Sequence, residues 1–233
     1  METIRISAPE EIASAAKQAA DVIRAGGVVL YPTDTLYGLG ADAFSDEAVG
    51  KVYAIKGREE SKPIHAIVSD MEMAEEYGDI SHITRQLAKR LPQGKLTFIV
   101  NKKEGIDSGV CRWLETFGFR IPDNAFCAAL LEELGTPVTA TSANKSGKST
   151  ESTVPAILAQ LSGGGDGLDS HSSVLQKTSI AGIDLVVDAG ELHSGKDASK
   201  VSTVVDLSSK HPVILREGAV EAASVWNAIR AGY

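Results

Sequence analysis

The sequence predicts an α/β protein, a mixed and twisted sheet of parallel and antiparallel strands flanked by helices. Three observations lead there. Short apolar runs such as Val28-Val29-Leu30-Tyr31 alternate with segments whose apolar residues recur at helical spacing. The alternation is not a strict strand–helix–strand repeat, because several strand-like runs follow one another toward the C-terminal end, and such runs pair most simply in a mixed sheet. No internal repeat or long linker divides the 233 residues, so one domain over residues 1–233 is expected.

Taken in order, Ile4 and Ile6 alternate with polar residues and mark a first strand. Ser7-Ala8-Pro9-Glu10 reads as a capping box with proline in the first turn. The helix behind it carries Ile12, Ala16, Ala19, Ala20 and Ile23, and Gly26-Gly27 stops it. Residues 28–31 form a buried strand, 46–55 a helix with Val49, Val52 and Ile55 on one face, and 64–68 a strand, after which Asp70 caps another helix. Residues 84–91 read as helix, and 96–100 and 117–121 as strands. Asp123 is the expected cap of a helix reaching about Leu134 and ended by Gly135. Residues 137–141 are strand and 154–161 helix. Ser162-Gly163-Gly164-Gly165-Asp166-Gly167 is expected to be a flexible surface loop. Strands at 185–187, 203–207 and 213–215 precede a last helix over 219–229.

Composition narrows the function classes. A net charge of −8 speaks against a general nucleic-acid coat, which needs basic surface, but leaves room for a local basic groove. Cys111 and Cys127 have no metal-ligand spacing and read as reduced thiols. The five histidines (His65, His82, His171, His193 and His211) are scattered, and His65, inside a strand, reads as a core or surface residue. No secretory leader is evident, and no run approaches the ~20 apolar residues that cross a bilayer, so a cytoplasmic protein without membrane contact is expected.

Five motifs carry chemistry. Tyr31-Pro32-Thr33-Asp34-Thr35-Leu36-Tyr37-Gly38-Leu39-Gly40 leaves a strand through a hydroxyl-rich turn suited to a small polar ligand. Lys56-Gly57-Arg58 and Ser61-Lys62-Pro63 place three cations together in an acidic chain, as phosphate binding requires. Arg120, inside Phe117-Gly118-Phe119-Arg120-Ile121-Pro122, needs an anion if buried, either a ligand carboxylate or an internal aspartate. Thr141-Ser142-Ala143-Asn144-Lys145-Ser146-Gly147 sits at a strand end. Ser202-Thr203-Val204-Val205-Asp206 and Arg216-Glu217-Gly218 close the set. Ser142 to Ser149 falls one glycine short of a P-loop, and the residues after it make a poor start for the helix that such a loop feeds.

In shared order and spacing these motifs, with Leu96-Thr97, resemble the YrdC-like family, the threonylcarbamoyl-AMP synthases, from about residue 10 to residue 220. The resemblance implies an open twisted sheet with a concave, positively charged groove. It implies a nucleotidyltransferase that makes threonylcarbamoyl-AMP and pyrophosphate from L-threonine, bicarbonate and ATP. A downstream tRNA threonylcarbamoyl transferase would then modify adenosine 37. It implies Mg²⁺ arriving with ATP and no dedicated protein metal site. By the family pattern Lys56 and Arg58 are catalytic, and Lys56, Arg58 and Lys62 face the phosphates. Thr116, Asn144, Ser152 and Arg216 complete the ATP contacts, while Thr35, Ile67, Arg120, Ser142 and Ser202 hold threonine.

Relatives usually read Pro-Gly-Pro-Leu-Thr where this chain has Gln93-Gly94-Lys95-Leu96-Thr97, so the loop from Pro92 to Lys95 departs from the pattern. Arg216-Glu217-Gly218 has Glu where Pro is common. The extra C-terminal domain of longer relatives is not expected. Two other functions fit the same motifs. One is RNA binding, including direct tRNA contact, without synthesis. The other is a related carbamoyl-adenylate chemistry with a different amine or donor.

Overall fold

The computed structural model describes residues 1–163, 182–192 and 201–231. Residues 164–167 of the expected glycine loop, together with His171 and His193, lie outside them. Among the described residues the strands are β1 (Glu2–Arg5), β2 (Val29–Pro32), β3 (Tyr37–Gly40), β4 (His65–Ile67), β5 (Leu96–Asn101), β6 (Thr116–Arg120), β7 (Val138–Ser142), β8 (Leu185–Asp188), β9 (Thr203–Asp206) and β10 (Val213–Arg216). The helices are α1 (Ile12–Arg24), α2 (Asp46–Lys56), α3 (Met71–Tyr77), α4 (His82–Arg90), α5 (Ala125–Leu134), α6 (Val154–Leu161) and α7 (Ala222–Arg230).

The strands form one sheet in the order β1-β8-β2-β3-β7-β4-β6-β5-β9-β10. Pairing is parallel for β1–β8, β8–β2, β4–β6 and β5–β9. It is antiparallel for β2–β3, β3–β7, β7–β4, β6–β5 and β9–β10. The mixed sheet expected from the sequence is therefore the one formed.

Successive strand residues face opposite sides, and both sides are covered. On one, Val29, Tyr31, Ile67, Val138, Leu185 and Val187 pack with the alanine face of α1 and with Phe126, Leu130 and Leu131 of α5. The small side chains of Ala15, Ala16, Ala19 and Ala20 let α1 lie close in this layer. On the other side, Leu30, Leu39, Ala66, Phe98, Phe119, Val186 and Val205 pack with α2, α6 and α7.

Four local expectations are corrected. Tyr37-Gly38-Leu39-Gly40 is not loop but strand β3, the partner of β2 in a hairpin. Its glycines are needed for packing: a Cβ would come within 3.2 Å of the Tyr31 ring at Gly38 and 2.8 Å at Gly40. Asn124, not Asp123, caps α5, its Oδ1 accepting from the Cys127 amide at 3.0 Å. Before α1 it is Glu11 rather than Glu10 that closes the turn, its carboxylate accepting from the Ser7 and Ala8 amides at 2.6 and 3.1 Å. The last helix starts at Ala222, three residues beyond the expected Ala219, because Val220 is drawn into the core and its carbonyl accepts from Thr203. The near-match to a P-loop has no helix behind it, since β7 ends at Ser142 and α6 starts only at Val154.

Candidate active site

The sheet order brings polar residues from eight separate segments to one cleft of about 180 Å³. The β2–β3 turn supplies Thr33 and Thr35, β6 ends in Arg120, β7 ends in Ser142, and β10 ends in Arg216. Thr97 of β5, Ser202 before β9, His65 opening β4 and Arg58 after α2 add to the polar lining.

The turn is built by its own hydroxyl. Thr33 Oγ1 accepts from the Thr35 and Leu36 amides at 3.1 and 3.2 Å and donates to the Leu36 carbonyl at 2.7 Å. This pre-set loop presents Thr35 Oγ1 to Arg120, which donates to it at 2.9 Å and to the Gly94 carbonyl at 3.2 Å. Arg120 is only 7% exposed, and its other terminal nitrogen lies 3.3 Å from Asp34 Oδ1. The internal aspartate is thus the anion that a buried arginine in an apolar strand demanded. Across the cleft, Arg216 donates to the Ser202 carbonyl at 3.2 and 2.8 Å, and Ser202 Oγ lies 2.7 Å from Thr97 Oγ1.

A second cavity of about 360 Å³ adjoins the first and shares Arg58, Pro63, Ile64, His65 and Arg216 with it. Lys62 and Thr116 line it, beside the apolar side chains of Ile99, Val110, Leu114, Val204 and Leu215. Arg58 ties down its own loop, donating to the Lys62 and Pro63 carbonyls at 3.0 and 3.1 Å. The geometry therefore offers a small hydroxyl-lined chamber and a larger, partly apolar one, with two arginines at the boundary. That arrangement suits a small amino acid beside a nucleotide.

Four of the residues expected in the site line neither chamber. Lys56 is 2% exposed, and its ammonium donates to the Ser142 carbonyl, to the Asn144 carbonyl at 2.9 Å and to Asn144 Oδ1 at 3.2 Å. It holds the end of β7 from behind instead of facing the cleft. Burial, and next the charge of Arg58, pull its pKa down to about 7, yet three surrounding oxygens need donor hydrogens, and that favours the ammonium. Asn144 is the hub of that turn, also accepting from Ser142 Oγ at 2.5 Å and donating to the Lys145 and Lys148 carbonyls. Ser152 is bound to Glu191 at 3.4 Å. Ile67 is fully buried in the α1/α5 core layer.

His65 was missed as a site residue. It borders both chambers, and its ring lies against Gly118, where a Cβ would meet it at 2.4 Å. Burial first, then Arg216 and Arg58, push its pKa down to about 4, so it is neutral. The one available signal was a polar residue inside an otherwise apolar strand. Cys111 and Cys127 are buried and unpaired, and burial raises both thiols, so neither is a ready nucleophile. Among the described residues no three His, Cys, Asp or Glu side chains gather as metal ligands, and no helix is long and apolar enough to cross a membrane.

The Sua5–YciO–YrdC family profile, described as "Telomere recombination", matches residues 21–218. A Bacillus subtilis protein named threonylcarbamoyl-AMP synthase is 35% identical over 205 residues, covering 87% of this chain and 53% of the relative. A Methanocaldococcus jannaschii protein named putative threonylcarbamoyl-AMP synthase is 35% identical over 196 residues, covering 84% and 81%. The chain thus spans about half the length of the first relative. Among solved structures, Pyrococcus abyssi Sua5 complexed with L-threonine superposes with a TM-score of 0.78 at 29% identity, covering 98% of this chain and 60% of that one. Escherichia coli YciO superposes with a TM-score of 0.74 at 27% identity, covering 96% and 98%.

Proposed function

The chain belongs to the Sua5–YciO–YrdC family, and from that membership we propose that it is an L-threonylcarbamoyl-adenylate synthase. The observation that carries this reading is the pair of adjoining chambers with Arg58 and Arg216 on their shared wall. The smaller takes L-threonine, whose carboxylate approaches Arg120 while its hydroxyl and amine meet Thr35, Ser142 and Ser202. The larger takes ATP, its base among the apolar side chains and its phosphates toward Arg58, Lys62 and Arg216, with Thr116 beside them. Lys56 and Asn144 serve by fixing the turn that carries Ser142. Ser152 and Ile67, assigned to ligands by family pattern, line neither chamber and are given no ligand contact in this reading.

In this reading the threonine amine and bicarbonate condense to a carbamate with loss of water. A carbamate oxygen then forms a bond to the α-phosphorus of ATP, and the bond from that phosphorus to the bridging oxygen breaks and releases pyrophosphate. Negative charge grows on the α-phosphoryl oxygens and the leaving group, where fixed guanidinium groups stabilise it most. Holding nucleophile and phosphorus on the two sides of one wall supplies the orientation. Mg²⁺ would enter on the triphosphate, held by its oxygens. The product would pass to a tRNA threonylcarbamoyl transferase.

The test is pyrophosphate release from ATP and bicarbonate with and without L-threonine. Release that depends on threonine is expected, and Arg58→Ala should lower it at least a hundredfold while the far-ultraviolet spectrum stays unchanged. Equal release without threonine, or full turnover by the variant, would overturn the reading.

A further inference from the structure

Asp34 is buried, yet neither of its carboxylate oxygens has an aligned hydrogen-bond partner. Two cations face it instead, Arg120 at 3.3 Å on Oδ1 and Lys95 at 3.6 Å on Oδ2. Lys95 also donates to the Asp34 backbone carbonyl at 3.1 Å, so its ammonium is anchored over this residue from the outside. Gly94, at φ +75°, brings the loop so close that a Cβ there would sit 2.2 Å from Asp34 Oδ2. The buried Asp34–Arg120 pair and the partly exposed Lys95 thus form a cluster of one carboxylate and two cations, a net charge of +1.

We propose that Lys95 is a positioning residue that partly neutralises Asp34 and so leaves the charge of Arg120 available to a ligand carboxylate in the cleft. The inference rests on the amino-acid reading of the small chamber given above. Arg120 spends its aligned hydrogen bonds on Thr35 and Gly94, and only an unaligned ionic contact on Asp34. With Lys95 present, an incoming carboxylate meets an excess positive charge. Without it, Asp34 and Arg120 form a closed neutral pair, and the aspartate repels the ligand anion at short range through a weakly screening interior.

The discriminating measurement is calorimetric binding of L-threonine and of L-threoninamide, in which a neutral amide replaces the carboxylate, at a pH where both α-amines are protonated. The unaltered protein should prefer the acid. In Lys95→Met the affinity for L-threonine should fall about tenfold while that for threoninamide changes less than twofold, and Lys95→Arg should restore the preference. Equal losses for both ligands, or an unchanged preference in Lys95→Met, would overturn the proposal. No binding of L-threonine by the unaltered protein would overturn the amino-acid reading, and the role of Lys95 with it.

Discussion

At the scale of single residues, burial decides what each charged group can do. Lys56 carries a charge into the interior because three oxygens at the end of β7 require donors. Replacing it by Met removes the donors and leaves those acceptors buried. Lys56→Met should therefore cost roughly 2–3 kcal/mol, read from urea unfolding, and should lower activity through a loosened Ser142 rather than through lost phosphate contact. His65 is the opposite case, a titratable group held neutral. Its pKa lies near 4 folded against 6.5 unfolded, so between those values the unfolded chain binds the extra proton. Stability should then fall as pH drops through 6.5 and level off below about 4, by about 3 kcal/mol in all. His65→Gln should flatten that part of the pH–stability curve, and an unchanged slope would show that other groups carry it.

At the scale of elements, β4 and β6 meet with almost no spare room. The His65 ring occupies the space over Gly118. Gly118→Ala should push the ring into the chambers it borders, lowering pyrophosphate release more than tenfold for a stability loss of about 1–3 kcal/mol. Activity near that of the unaltered protein would place the ring elsewhere. The same elements show what the sequence made legible. The alanine stripe of α1 and the apolar runs of β2, β5 and β8 declared themselves through period alone, because each needs only its own residues to be recognised. Strand β3 did not, since its glycines signal a turn until the Tyr31 ring that requires them is known to lie alongside. The cap of α5 was missed by one residue, because Asp123 and Asn124 are chemically equivalent caps and only backbone geometry chooses between them. The sequence read Lys56 as a free cation, since nothing local reveals that the carbonyls of residues 142 and 144 will close around it.

At the scale of the whole molecule, the mixed sheet was predictable, whereas the strand order that unites eight segments at one cleft depends on long-range pairing that periodicity does not encode. Net charge does not fix where the cations lie. The chain carries −8 overall, yet Arg58, Arg120 and Arg216 all reach the cleft. A long polyanion must neutralise many phosphates along an extended surface, and each contact weakens as salt rises. A triphosphate needs only a few fixed cations at one point. The cleft should therefore retain ATP at physiological ionic strength, while tRNA gives no gel shift there and only a weak, salt-labile one at low salt. A tight tRNA complex whose affinity falls steeply with salt, in a protein that releases no pyrophosphate, would instead make the cleft an RNA-binding surface and its arginines backbone contacts.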